Sequence, residues 1–170
     1  MKIVDTFSIV EDSLYSVQFE NEEYNEFRKL FLNWNDPEFL HRFFSEHEND
    51  LKSAIWGYIS VDEAIEKTRN QAKWMEKKIL DLANTPQDPE RNLLKYFEPL
   101  GDTYVSSTLE LNKGKGLSKH NWLRIYAVEP EPNLYVISGG GIKLTPTMND
   151  RDHLKLELRK LKITKNYLNT

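Results

Sequence analysis

Apolar and polar positions alternate first over Leu14–Phe19, where Leu14 or Tyr15 starts an inward face, and this two-residue period predicts a short strand. The rhythm then changes. Tyr24, Phe27, Phe31 and Trp34 recur at intervals of three and four, the period of an amphipathic helix. Asp36-Pro37 restarts the chain, with Asp36 suited to cap free amides and Pro37 to the first helical position. Phe39, Leu40, Phe43 and Phe44 give this second helix a wide aromatic face. A third helix opens on Ser60 and Glu63, the spacing of a capping box. Ile65, Thr68, Ala72, Met75, Ile79 and Leu82 continue it as one apolar stripe until Thr85-Pro86 and Asp88-Pro89 stop it.

Beyond a turn at Pro99-Leu100-Gly101-Asp102 the pattern becomes β-rich. Tyr104–Leu111, Trp122–Val128 and Leu134–Ser138 read as strands, separated by turn-forming residues at 112–116 and 129–133. Such closely spaced strands most simply form an antiparallel meander. Gly139-Gly140-Gly141 breaks the last strand, and Ile142-Lys143-Leu144 continues it beyond a bulge. Asp150 is placed to cap a final helix carrying Leu154, Leu158 and Leu161 and rich in Lys and Arg. The sum is an α+β fold in one domain, 1–170. An N-terminal strand and helices pack on a C-terminal antiparallel sheet of three to four strands, followed by a basic helix.

Composition narrows the function. The chain has no cysteine, which removes thiolate catalysis, a disulfide framework and Cys-ligated zinc, and fits a reducing compartment. Met1–Val10 has no secretory pattern, and no apolar run is long enough to span a membrane, so a cytoplasmic location is expected. Net charge is −4 but unevenly spread: residues 1–50 hold four basic against twelve acidic side chains, and residues 101–170 hold eleven against seven. This asymmetry points to a polyanion contact on the C-terminal side, against the alternative that the charge only solvates the surface.

Trp122-Leu123-Arg124-Ile125-Tyr126-Ala127-Val128, then Leu134–Ser138, then Gly140-Gly141-Ile142-Lys143-Leu144-Thr145 carry a resemblance to the RelE/ParE superfamily of bacterial toxins, especially its phage-derived RelE-like branch. The likeness covers about residues 60–165 plus the first strand, leaving 24–58 as a helical insertion. It implies a toxin of a toxin–antitoxin pair, with an antitoxin protein, the ribosome and mRNA as partners. It also implies metal-independent endoribonuclease chemistry, in which a 2′-hydroxyl attacks the adjacent phosphate, and no cofactor.

That reaction needs cations where phosphate charge develops and a group that exchanges a proton. Arg124 matches the family arginine and can hold a phosphate through two N–H groups, the alternative being an outward strand arginine. Lys143 matches the family's lysine turn, although some relatives have Lys-Lys where this chain has Ile142-Lys143. Tyr126 alternates with Arg124 and can stack on a base or pack in the core. His120 and His153 are the histidines of this half, either able to act as acid or base. Lys113, Lys115 and Lys119 interleave with Gly114 and Gly116 in a basic loop suited to a nucleic-acid backbone, or in a plain solvated hairpin.

Two other signals fail on spacing. The triple glycine before Lys143 has Leu144 where a nucleotide-binding loop needs Ser or Thr, and His41 and His47 stand six apart, not on one helical face. Family members that cleave RNA are basic, whereas this chain is acidic. The alternative function is therefore a non-catalytic interaction module on the same fold, binding an antitoxin peptide or serving a phage or mobile element.

Overall fold

The structure, a computed structural model, describes residues 1–100, 104–107 and 121–169. Its strands are β1 (Ile3–Val10), β2 (Leu14–Phe19), β3 (Phe97–Pro99), β4 (Tyr104–Ser107), β5 (Leu123–Glu131) and β6 (Leu134–Ile142). Its α-helices are α1 (Glu26–Trp34), α2 (Pro37–Glu46), the short α3 (Glu48–Leu51), α4 (Val61–Ala83) and α5 (Asp152–Leu168). The sheet has six strands in the order β1-β2-β6-β5-β4-β3.

The expected α+β class and the antiparallel run β4-β5-β6 are present. The sheet as a whole is mixed, which corrects the all-antiparallel expectation. β2 pairs with β6 in parallel, Leu14 beside Tyr135 and Ser16 beside Ile137. Parallel neighbours need a long crossover, and the helical segment between β2 and the meander supplies it. Two strands were not anticipated. β1 forms a hairpin with β2 around Glu11–Asp12, and β3 adds a short edge beyond β4.

The helices form where the apolar stripes predict. Asn25 caps α1 by accepting from the Arg28 N–H, and Asp36 caps α2 through the Glu38 N–H. Ser60 caps α4 by accepting from the Glu63 N–H. Phe27, Leu30, Phe31 and Trp34 of α1, Leu40 and Phe44 of α2, and Ala72, Met75 and Ile79 of α4 pack into one core. They meet Leu123, Ile125 and Ala127 of β5 and Tyr135 and Ile137 of β6, so segment 24–58 shares the main core. The opposite face of the sheet carries Tyr126 and Val128, which pack on Leu154 and Leu161 of α5. The helices therefore lie on both faces, and α5 is a covering layer in its own right.

Two local expectations are corrected. β6 runs on through Gly139-Gly140-Gly141 to Ile142, with the expected irregularity reduced to a register shift at Ser138, and the glycines fit where neighbouring elements crowd the strand. A Cβ at Gly139 would collide with the Glu157 carboxylate of α5, and one at Gly140 with the Arg124 carbonyl and with Leu30 of α1. Asp150 caps a single 3₁₀ turn, Met148–Asp150, through a reciprocal box with Thr147, and α5 starts two residues later. No described helix is long and apolar enough to cross a membrane.

Candidate functional site

Alternation along β5 sends Arg124 and Tyr126 to the face covered by α5, and Lys143 follows β6 at the same end of the sheet. The Arg124 guanidinium donates through Nη1 to the Asn121 carbonyl at 3.2 Å, to Asn121 Oδ1 at 2.7 Å and to the Leu123 carbonyl at 2.9 Å. Burial pushes its pKa down, while the fields of Tyr126, Glu98 and Tyr96 oppose the change. Lys143 Nζ donates to the Pro146 carbonyl at 3.0 Å. Burial also pushes the Lys143 pKa down, the Arg124 charge adds to the effect, and Asp150 opposes it. Lys143 thus stands in the field of Arg124. Such a pair is relieved by an anion that reaches both.

Tyr126 lies beside Arg124 but is only 1% exposed, so its ring packs under α5 instead of offering a face to a base. Its hydroxyl has no hydrogen-bond partner among the described residues. Burial, aided by Glu157 and opposed by Arg124, pushes its pKa up, which keeps it protonated. His120, Lys113, Lys115 and Lys119 lie outside the described residues.

His153 is half-buried on α5, with Nε2 donating to the Ile142 carbonyl at 2.9 Å. Its ring stands 5.0 Å from that of His47, which stacks on Phe43 at 4.2 Å. Burial lowers the His153 pKa, against the raising effect of the Ile142 hydrogen bond. Beside this pair, Arg151 Nε donates to Asp50 Oδ2 at 2.9 Å and holds the Asp50 carboxyl below its usual range. The contact ties α3 to the start of α5. Among the described residues no group of three or more His, Asp and Glu side chains converges to hold a metal ion.

A second constellation escaped the sequence reading. Lys160 of α5 is buried with its Nζ 2.8 Å from Glu26 Oε1 and 3.1 Å from Glu157 Oε1. Glu26 belongs to the first turn of α1, so the triad joins helices from the two covering layers beside Gly139. Burial raises the Glu157 pKa to about 7, while Lys160 and its hydrogen bond lower it and Glu26 raises it further. Burial works against the Lys160 charge, but the two carboxylates outweigh it and hold that pKa above its usual value. The available signal was periodic: Leu154, Glu157, Leu161 and Thr164 recur at the spacing of an inward stripe, with a charge at one of its positions.

A cleft of about 210 Å³ opens between α1 and α5, walled by Trp34, Phe43, Gly140, Leu156 and Glu157 among others. Glu26, Glu157 and Lys160 line the floor of this cleft, while both Glu26 oxygens and Glu157 Oε1 are sealed from solvent. The chain matches no protein-family model, no curated protein and no solved structure.

Proposed function

We propose that this chain is a RelE/ParE-like toxin component that grips the sugar–phosphate backbone of mRNA through Arg124 and Lys143. One observation carries the reading: Arg124 on β5 and Lys143 just past β6 are both partly dehydrated, and the Arg124 charge adds to the burial that already disfavours the Lys143 charge. A bridging phosphate removes that cost and gains charge-assisted hydrogen bonds, which are among the stronger polar contacts. The element order also fits the resemblance, with a strand and helices ahead of a three-stranded antiparallel run and a final helix. In this reading Arg124 and Lys143 neutralise the phosphate while the neighbouring 2′-hydroxyl gives up its proton and attacks phosphorus, breaking the P–O5′ bond and releasing a 5′-hydroxyl end. The proton donor and acceptor then come from other groups, because the Tyr126 hydroxyl is buried.

That burial also favours a second reading, a non-catalytic module on the same scaffold that binds an antitoxin peptide. Induced expression in a bacterial host separates them, comparing wild type with Arg124→Ala/Lys143→Ala while transcript 5′ ends are mapped. Growth arrest with new cleavage sites, lost in the double variant, is the expected result. Normal growth and intact transcripts, with folded protein confirmed, would transfer the assignment to the interaction module.

A further inference from the structure

The two edges of the sheet are built differently. β3 has three residues and ends on Pro99, which cannot donate to a further ladder, so this edge is short and blunted. β1 has eight residues, no proline and one charged side chain, Asp5, whose Oδ1 accepts from the Thr6 N–H. No described strand lies beyond β1, so its outward backbone groups, apart from the Thr6 N–H that Asp5 Oδ1 takes, are open for pairing. Val4 and Phe7 are 52% and 38% exposed along it. Register shifts fall near its two ends, leaving Asp5–Ser8 in unbroken pairing with β2 as the stretch available to template another strand.

We propose that the chain pairs with a second copy of itself, β1 against β1, about a two-fold axis at Phe7. An axis perpendicular to the sheet keeps the faces of both copies aligned and merges two six-stranded sheets into one. Phe7 then opposes its own symmetry mate, and Thr6 opposes Ser8. The Lys2 end of each strand meets the Glu11–Asp12 end of the other, which is the charge complementarity that selects a second copy. Lys2, Glu11 and Asp12 are all exposed. This centre also avoids setting Asp5 against its own mate, the like-charge pairing that an axis at Asp5 would impose. A strand pair alone covers less surface than a standard interface, so the dimer is concentration-dependent.

Sedimentation equilibrium of the purified full chain tests the idea, with loading up to about 1 mM to reach a weak association. A reversible monomer–dimer equilibrium is expected, with Phe7→Lys raising its dissociation constant roughly tenfold or more by placing like charges at the axis. Two charge-reversed chains, Lys2→Glu and Glu11→Lys/Asp12→Lys, should each self-associate less than wild type and pair with one another when mixed. Because all four positions are exposed, these variants keep the fold, which circular dichroism verifies. A wild-type chain that stays monomeric over the whole range overturns the proposal. So does a dimer that ignores Phe7→Lys and shows no gain on mixing the charge-reversed chains. Occupation of this edge by a different protein's peptide, with no self-association, overturns it equally.

Discussion

Glu157 carries a proton-linked term in the stability of the fold. Its folded pKa of about 7 lies above the ordinary value of 4.5, so the folded state binds a proton more tightly than the unfolded chain. The associated stabilisation is complete below about pH 4.5, declines as pH rises and is gone above about pH 7. Its size is on the order of 3 kcal/mol. Urea unfolding across this range should show wild type losing stability relative to Glu157→Gln, whose neutral amide cannot titrate. Lys160→Met removes the cation between two buried carboxylates and should cost roughly 3–5 kcal/mol at pH 7.5 in the same melts. Gly139→Ala should cost about 1–3 kcal/mol, since its Cβ has no room beside the Glu157 carboxylate. The sequence read Arg124 and Tyr126 correctly as alternating neighbours on one strand, because strand parity is local. It could not reveal that α5 closes over Tyr126, nor that Lys160 pairs with Glu26, since both depend on how distant layers meet.

At the scale of elements, α4 is the piece most completely written in the sequence. Its capping box and its single apolar stripe agree, and the observed helix starts directly after Ser60. One polar position on that stripe has a specific duty. Thr68 Oγ1 donates to the Ala64 carbonyl at 2.7 Å and accepts from the Trp122 indole N–H at 2.9 Å, joining α4 to the start of β5. Thr68→Val keeps the shape but leaves the buried indole donor unmatched, with an expected loss of about 1–3 kcal/mol in chemical denaturation. Thr68→Ser, which gives up only the buried methyl, should lose less, because the hydroxyl remains. β1 was illegible for the opposite reason: an edge strand is wetted on several sides, and Val4, Asp5, Phe7 and Ser8 are all exposed, so no two-residue alternation survives. β6 was interrupted in the reading because its glycines resemble a break. They are small for the sake of neighbouring helices, which the strand's own pattern does not disclose.

Over the whole molecule, a mixed sheet is enclosed by α1, α2 and α4 on one side and by α5 on the other. The resemblance and the patterning led to the meander and to one covering layer, but parallel β2–β6 contact arises from segments at opposite ends of the chain and leaves no local trace. Ending the chain at Asp150 would uncover Tyr126, Val128, Val136, Val17 and Phe19, all buried in clusters completed by α5 or its flanks. Such a truncated chain should bind a hydrophobic dye and aggregate, whereas a chain shortened only by Thr170 should not. The pairing of Leu14 with Tyr135 also sets an order of events during synthesis. The N-terminal hairpin is made well before its partner, and the inner edge of β2 stays unsatisfied until β6, more than a hundred residues later, has left the ribosome. Contacts so far apart in sequence slow folding and prolong the exposure of sticky intermediates. Nascent chains stalled before residue 134 should therefore engage chaperones throughout elongation, and release from them should coincide with the arrival of β6.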